Sequence, residues 1–189
     1  VVADLCDTVA VMQHGLIVRN GLIAHYPDTR EDSLAYFPNR FYLWEGLDMC
    51  TAKLPLSSPN IRYFPNKHLK WMLGQCVAIK RKPRQVLVVS QPICTKDLLE
   101  STLRNASAMP EWTFVYKTHP VEDKTYLQIV LPEIEKAENI YQVDDQVSIY
   151  TLFAESEVVL GVFATAVFEA PFFGCKVLLL NVPGVELSE

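Results

Sequence analysis

The sequence Lys117-Thr118-His119-Pro120 is the part of this chain whose residue types are best suited to chemistry. It closes an apolar, β-prone run, and the two-residue period of a strand puts Lys117 and His119 on the same side. Pro120 disfavours the α conformation at His119, so the extended backbone reaches the imidazole. An ammonium group near an imidazole suits a phosphate or pyrophosphate. Taken alone, the pattern also fits an exposed strand end with an incidental histidine.

A second candidate is the turn Phe163-Ala164-Thr165, between a β-prone run and a helical pattern. Thr165 is predicted to cap the helix, whose first N–H groups would attract an anion. Glu169, about one turn into the helix, is predicted to reach a ribose hydroxyl. An ordinary capped helix with an exposed glutamate is the alternative interpretation.

A third candidate is His14, within Gln13-His14-Gly15. Gly15 permits a tight turn after the β-prone run Thr8–Gln13. The turn leaves His14 at a loop tip, where an imidazole can act as general base. A histidine beside a glycine also fits a purely structural role.

Other common sites lack their sequence signatures. The chain contains no HxxxH, CxxC or Asp-x-Asp pattern, and no GxSxG, GxGxxG or Walker motif. These absences argue against a metal site, a serine hydrolase and a dinucleotide or P-loop site. Asp144-Asp145 are instead predicted to cap the helix that follows them. We therefore predict no bound metal.

The first two candidate sites lie at the ends of strands in a series of five β-prone runs. Helical patterns separate these runs. The runs are Gln85–Ser90, Trp112–Thr118, Asn139–Val143, Val158–Phe163 and Lys176–Leu180. The helical patterns are Thr95–Ala108, Leu127–Lys136, a segment around Ile149–Phe153, and Thr165–Phe173. This alternation predicts an α/β fold, a Rossmann-like parallel sheet with helices on both faces.

Ligands of such sheets bind beyond the carboxyl ends of the strands. Ser90 and Gln91 follow the first of these runs, and we predict that they contact the nucleotide or its ribose. Before residue 85 the pattern is less regular. Arg40–Trp44 is β-prone, and the proline-rich Leu54–Asn66 predicts an irregular connection. The basic segment Lys80–Arg84 predicts a solvated linker at a domain boundary, with weak attraction to anionic lipid as the alternative.

Composition narrows the classes of protein. A net charge of −5 over 189 residues argues against a nucleic-acid partner. Half of the residues are hydrophobic, which is typical of a globular protein with a sizeable core. Five scattered cysteines indicate reduced thiols, and with no run long enough to span a bilayer we expect a cytoplasmic location. We also expect the chain to be incomplete, since it lacks a start Met.

The order of these features resembles one group of bacterial surface-polysaccharide transferases. A strand ending in His-Gly is followed, about 100 residues later, by a strand ending in Lys-x-His-Pro and then by a hydroxyl-bearing strand-to-helix turn. The group includes CDP-glycerol glycerophosphotransferases, polysialyltransferases and capsule transferases that use CMP-activated acidic sugars. The segments that carry the resemblance are MQHG, VYKTHP, LFAESEVVLGVFATAVFEAPFFG and KVLLLNVPG.

The resemblance implies a GT-B fold of two Rossmann-like domains. Residues 1–80 would be the end of the acceptor-side N-terminal domain with its linker, and 81–189 the nucleotide-sugar-binding domain. His119 would contact the donor phosphate together with Lys117 and Thr165, and His14 would be the base for the acceptor hydroxyl. The family usually has two adjacent hydroxyl residues where this chain has Ala164 before Thr165. The missing hydroxyl would cost about 1 kcal/mol in phosphate binding.

The implied activity is metal-independent transfer of a sugar or polyol phosphate from a CMP- or CDP-linked donor. The acceptor would be a growing capsule or cell-surface polysaccharide or a glycolipid, reached from the cytoplasm at the inner face of the membrane. The nucleotide-activated sugar would be a substrate, and no cofactor is implied. Two alternatives stay open, a sugar-nucleotide epimerase of the same fold and a non-catalytic nucleotide-sugar-binding module.

Overall fold

The structure is a computed structural model that describes residues 8–13, 15, 38–46, 58–122, 132, 134–143 and 146–182. The chain forms two compact units, which meet in sequence between Lys70 and Trp71. The assignment of an acceptor-side domain and a nucleotide-sugar-binding domain to the two parts stays a prediction.

The first unit contains a parallel three-stranded sheet in the order β1-β2-β3. Its strands are Ala10–Met12 (β1), Arg40–Trp44 (β2) and Ile61–Phe64 (β3). The prediction of an irregular connection over Leu54–Asn66 is wrong at β3. Prolines flank this strand, but three of its four residues are β-branched or aromatic, and the strand pairs with β2. Helix α1, Lys67–Cys76, follows it without having been indicated by the sequence.

The second unit contains a parallel five-stranded sheet in the order β6-β5-β4-β7-β8. Its strands are Gln85–Val89 (β4), Thr113–Lys117 (β5), Ile140–Val143 (β6), Val158–Gly161 (β7) and Lys176–Leu179 (β8). Each lies within one of the five predicted runs, so the predicted parallel sheet is confirmed. β5 and β6 lie on one side of β4, and β7 and β8 lie on the other. The strand order therefore reverses between β4 and β7.

Three of the helices that accompany this sheet lie wholly within the described residues. They are Thr95–Ala108 (α2), Ile149–Glu155 (α3) and Thr165–Glu169 (α4). α4 is shorter than predicted, because a 3-10 turn over Ala170–Phe173 replaces its second half. The helix predicted at 127–136 falls mostly outside the described residues. In the part of the chain that the structure describes, no helix is long and apolar enough to cross a bilayer.

Alternating residues of β4 build a core on each face of the sheet. Val86 and Val88 pack in a buried cluster with side chains of α2, whereas Leu87 and Val89 pack in a second cluster with side chains of α3 and α4. All five residues of β4 are buried, as expected for a strand that is covered on both faces. The prediction of helices on both faces is confirmed.

Two helix starts differ from the predictions. The N-cap of α3 is Ser148, not Asp144-Asp145, which lie outside the described residues. The N-cap of α4 is Ala164, whose φ of −64° and ψ of 136° are extended. Thr165 is therefore the first helical residue and does not cap the helix. The predicted position was one residue late because an alanine, whose side chain cannot cap a helix, gives no N-cap signal in the sequence.

The basic segment before β4 belongs to the second unit and forms contacts within it. Arg81 donates hydrogen bonds to the backbone carbonyls of Phe173 and Gly174. Lys82 forms an ion pair of 2.8 Å with Glu155, and its backbone N–H donates to the Glu155 carbonyl at 2.7 Å. The segment is exposed, as predicted for a solvated linker, but two of its charges are engaged with the domain that follows.

Candidate functional site

A cavity of about 600 Å³ lies at the carboxyl edge of the five-stranded sheet. The loops after β4, β5 and β7 and the start of α3 form its wall. Because β4 and β7 flank the reversal in strand order, the cavity occupies the place where open α/β sheets bind their ligands. Its lining residues are Val89, Ser90, Gln91, Lys117, Thr118, His119, Pro120, Val147, Ser148, Ile149, Tyr150, Phe163, Ala164, Thr165 and Ala166.

Five predicted site residues meet at this cavity: Ser90, Gln91, Lys117, His119 and Thr165. Lys117 and His119 are the basic side chains of the lining, and no aspartate or glutamate occurs among the described lining residues. Lys117 is buried, at 8% exposure, and His119 is half-buried. This distribution of charge suits an anionic ligand.

A closed turn shapes the backbone around His119. The backbone N–H of His119 donates to Oε2 of Glu122 at 2.8 Å, and the N–H of Glu122 donates back to the His119 carbonyl at 3.0 Å. The Val121 N–H donates to Nδ1 of His119 at 3.3 Å. Nδ1 therefore acts as an acceptor, and this geometry assigns the proton of the neutral imidazole to Nε2.

Ser90 lines the cavity but is almost fully buried. It is 1% exposed, and its Oγ lies 2.6 Å from Oε1 of Glu122 and 2.9 Å from the hydroxyl of Tyr116. Its hydroxyl is thus engaged by protein groups, and its predicted contact with the nucleotide stays a prediction. No local pattern links Ser90 with Glu122, 32 positions later, so this bond could not be predicted from the sequence.

Gln91 connects two loops of the cavity wall. Its Oε1 accepts the backbone N–H of Phe163 at 3.4 Å. The bond joins the loop after β4 to the loop after β7, across the reversal in strand order. Gln91 therefore helps to fix the width of the cavity, and its predicted contact with the nucleotide stays a prediction.

Glu169 and Tyr150 form a pair at the side of the cavity. Glu169 is 7% exposed, while Tyr150 lines the cavity. Burial, then the charge of Glu169 and its hydrogen bond, raise the pKa of Tyr150 to about 12. The carboxylate of Glu169 is thus buried and engaged by a tyrosine, so the alternative of an exposed glutamate is wrong. Its predicted contact with a ribose stays a prediction. Tyr150 is a cavity residue that sequence reasoning missed, because it was indicated only as part of an apolar helix face.

His14 lies outside the described residues, and its role as a base stays a prediction. Its neighbour Gln13 is 4% exposed and ends β1 with two side-chain bonds. Nε2 of Gln13 donates to the Gly15 carbonyl at 2.9 Å, and Oε1 accepts the N–H of Trp44 at 2.6 Å. A buried glutamine therefore links the ends of β1 and β2.

No protein-family model and no curated protein matches the chain. Among solved structures, it is similar to the UDP-GlcNAc 2-epimerase of Neisseria meningitidis bound to UDP-GlcNAc, with a TM-score of 0.52 and 19% identity over 66% of this chain and 38% of that one. It is also similar to the pneumococcal O-GlcNAc transferase GtfA in complex with UDP and GlcNAc, with a TM-score of 0.52 and 15% identity over 92% of this chain and 37% of that one.

The chain therefore spans 38% and 37% of the length of these two proteins. At such low identity the likeness shows the fold alone. Together with the parallel sheets and the helices on both faces, it establishes an α/β, GT-B-like fold, as the resemblance in sequence implies.

Proposed function

We propose that this chain belongs to a GT-B transferase that moves a sugar or polyol phosphate from a CMP- or CDP-linked donor to a capsule or cell-surface polysaccharide. The observation that carries the proposal is the meeting of Lys117, His119 and Thr165 at one cavity, where the strand order of the sheet reverses. A nucleotide donor places its phosphate groups at such an edge in α/β folds.

The basic groups suit the departure of the donor nucleotide. In the transfer, the acceptor oxygen attacks the donor, the bond to the leaving phosphate oxygen breaks, and its electron pair stays on that phosphate. Lys117 and the Nε2–H of His119 would stabilise the developing charge. The proton of the acceptor hydroxyl would pass to a general base, for which His14 is our candidate.

The size of the cavity and the related folds support a nucleotide-sugar ligand. About 600 Å³ is within the usual range for small-molecule sites. The two similar structures hold UDP-GlcNAc in one case and UDP with GlcNAc in the other. The cytidine base and the polysaccharide or glycolipid acceptor at the inner face of the membrane rest on the resemblance in sequence.

The lining of the cavity favours a transferase over an epimerase. An epimerase on this scaffold needs carboxylates near the sugar, and the described lining residues include none. Asp123, Asp144 and Asp145 lie outside the described residues. Glu122 and Glu169 are both buried, and each is hydrogen-bonded to protein groups. A non-catalytic binding module is the other alternative. Ala164 would be consistent with it, because the resembling family usually has a hydroxyl residue at this position of the phosphate turn.

Product analysis tests the proposal. The protein is incubated with CDP-glycerol, CMP-N-acetylneuraminate or UDP-GlcNAc and an oligosaccharide acceptor, and the products are identified by mass spectrometry. We expect release of CMP with transfer or hydrolysis of the donor, and loss of release in His119→Ala. His68→Ala changes an exposed histidine of α1 and is the matched control. A free isomerised sugar would identify an epimerase, and binding without turnover a binding module.

A further inference from the structure

Glu122 is a buried carboxylate that accepts hydrogen bonds on both oxygens. Oε1 accepts from Oγ of Ser90 at 2.6 Å, and Oε2 accepts from the backbone N–H of His119 at 2.8 Å. Glu122 is 6% exposed and Ser90 is 1% exposed. Burial of a carboxylate is costly unless it is hydrogen-bonded, and here both bonds come from residues at the edge of the cavity.

The direction of these bonds follows from the donors available. A serine hydroxyl has one hydrogen, which Ser90 gives to the carboxylate of Glu122. The hydroxyl of Tyr116, 2.9 Å from Oγ of Ser90, must then donate to Ser90. One chain of hydrogen bonds thus runs from Tyr116 through Ser90 to Glu122. It joins β5, the end of β4 and the turn after β5.

The same carboxylate fixes the turn that carries His119. Glu122 binds this turn at the backbone N–H and at the carbonyl of His119, the second through its own N–H at 3.0 Å. Closure of the turn also places the Val121 N–H 3.3 Å from Nδ1 of His119. The backbone position and the tautomer of the imidazole therefore depend on one turn, which Glu122 ties to β4 through Ser90.

We propose that Glu122 is the positioning residue for His119, holding the imidazole at the cavity as the tautomer whose Nε2 carries the proton. The inference rests on the proposed donor-phosphate role of His119. Glu122 acts through its hydrogen-bonding geometry and does not touch the donor. Ser90 is the support through which Glu122 is fixed to the sheet.

Two substitutions separate a positioning role from a role of the charge. Glu122→Ala removes the two side-chain bonds, to Ser90 and to the His119 N–H, and keeps the backbone bond to the His119 carbonyl. Glu122→Gln keeps an oxygen for the His119 N–H, and its amide nitrogen can donate to Ser90, whose hydroxyl can turn towards Tyr116. The glutamine variant therefore preserves the turn without the charge. Exposed Glu100 of α2 provides the matched control, Glu100→Ala.

The first measurement is CDP affinity by calorimetry and donor turnover for these variants, for His119→Ala and for the double variant. We expect Glu122→Ala to weaken binding or turnover by about tenfold or more, since misplacement of a site group by about 1 Å can cost about a hundredfold. Glu122→Gln should bind CDP and turn over donor at close to the wild-type level, because it keeps the hydrogen bonds to the turn. In the His119→Ala background, Glu122→Ala should add little, because the two act as a unit.

The second measurement is the tautomer of His119, from its side-chain nitrogen shifts in ¹⁵N-histidine protein at pH above 8, assigned with His119→Ala. The Nε2–H tautomer in wild type and Glu122→Gln, with loss of that preference in folded Glu122→Ala, would support the inference. A Glu122→Gln variant as impaired as Glu122→Ala would overturn it in favour of a role of the charge. An unchanged tautomer and affinity in folded Glu122→Ala would also overturn it.

The same experiments separate this inference from the proposed function. If His119→Ala binds and turns over donor like wild type, the donor-phosphate role of His119 is wrong. The tautomer measurement alone then tests whether Glu122 positions His119. Should His119→Ala lose activity while folded Glu122→Ala keeps both activity and tautomer, the proposed function stands and the positioning role does not.

Discussion

Gly161 and Val167 lie so close together that a side chain at position 161 has no room. A Cβ built on Gly161, the last residue of β7, would overlap Cγ2 of Val167, which is 0% exposed in α4. Glycine allows similarly close packing of a helix on a strand in other α/β nucleotide sites. The contact sets how α4 follows β7, and therefore where Thr165 lies at the cavity.

Substitution of this glycine should damage both fold and site. We expect Gly161→Ala to lower the free energy of unfolding by about 1–3 kcal/mol, because Val167 must move, and to weaken nucleotide binding. Gly74→Ala is the matched control, since a Cβ at this exposed position of α1 meets nothing within 4 Å. The control should raise stability by about 0.4–1 kcal/mol. Urea denaturation measures both, and a Gly161→Ala protein of wild-type stability would refute the packing argument.

Asn139 should stabilise the connection between α2 and β5. Its Nδ2 lies 3.0 Å, 3.2 Å and 2.9 Å from the carbonyl oxygens of Ala106, Met109 and Trp112. Asn139→Ala leaves these carbonyls without this donor, and we expect a loss of about 1–3 kcal/mol in the free energy of unfolding. Asn139→Asp should be no better, since a carboxylate cannot donate.

The exposed Gln142 of β6 supplies the control for this series. Gln142→Ala should change stability by less than about 0.5 kcal/mol. Thermal unfolding followed by circular dichroism would compare the variants. A similar small effect for Asn139→Ala would mean that these hydrogen bonds contribute little.

The stability of the protein should fall at alkaline pH because of Tyr150. Burial and Glu169 raise the pKa of Tyr150 to about 12, against about 10 for an unperturbed tyrosine. At a pH above the pKa of Tyr150 in the unfolded chain, the native state still holds the phenolic proton, whereas the unfolded chain loses it. The contribution of Tyr150 to the free energy of unfolding is therefore complete below pH of about 10. It is lost as the pH rises towards the pKa of Tyr150 in the folded protein.

Tyr150→Phe keeps the ring and removes the ionisable group. We expect its free energy of unfolding to decline less steeply than that of wild type above the ordinary tyrosine pKa. Urea titrations at a series of alkaline pH values provide the comparison, with exposed Tyr141→Phe as the control. Parallel declines in wild type and Tyr150→Phe would contradict the predicted linkage.

The second unit was largely predictable because its strands are continuous apolar runs separated by helical patterns. Since parallel strands share one carboxyl edge, the residues after β4, β5 and β7 could be expected to meet, and Gln91, His119 and Thr165 do so. The first unit was harder to predict. β3 is short and lies between prolines, so the sequence predicted an irregular connection there despite its β-prone residues.

The side-chain pairs that shape the cavity could not be predicted. Ser90 and Glu122 are 32 positions apart, and Tyr150 and Glu169 belong to different helices. Such pairs form only because the sheet brings its loops together, and they have no period or spacing of their own. As a result, the sequence could not indicate that Ser90 and Glu169, both predicted to contact the ligand, are also hydrogen-bonded to protein groups.

Titration of CMP, CDP, UDP and GDP into the protein and into His119→Ala by calorimetry tests the donor-phosphate role of His119 most directly. We predict selective binding of the cytidine nucleotides by wild type, retained in His68→Ala and lost in His119→Ala. Binding of another nucleotide that still requires His119 would keep the site and change the donor. Equal binding of CDP by wild type and His119→Ala, or no binding of any nucleotide, would contradict the proposed site.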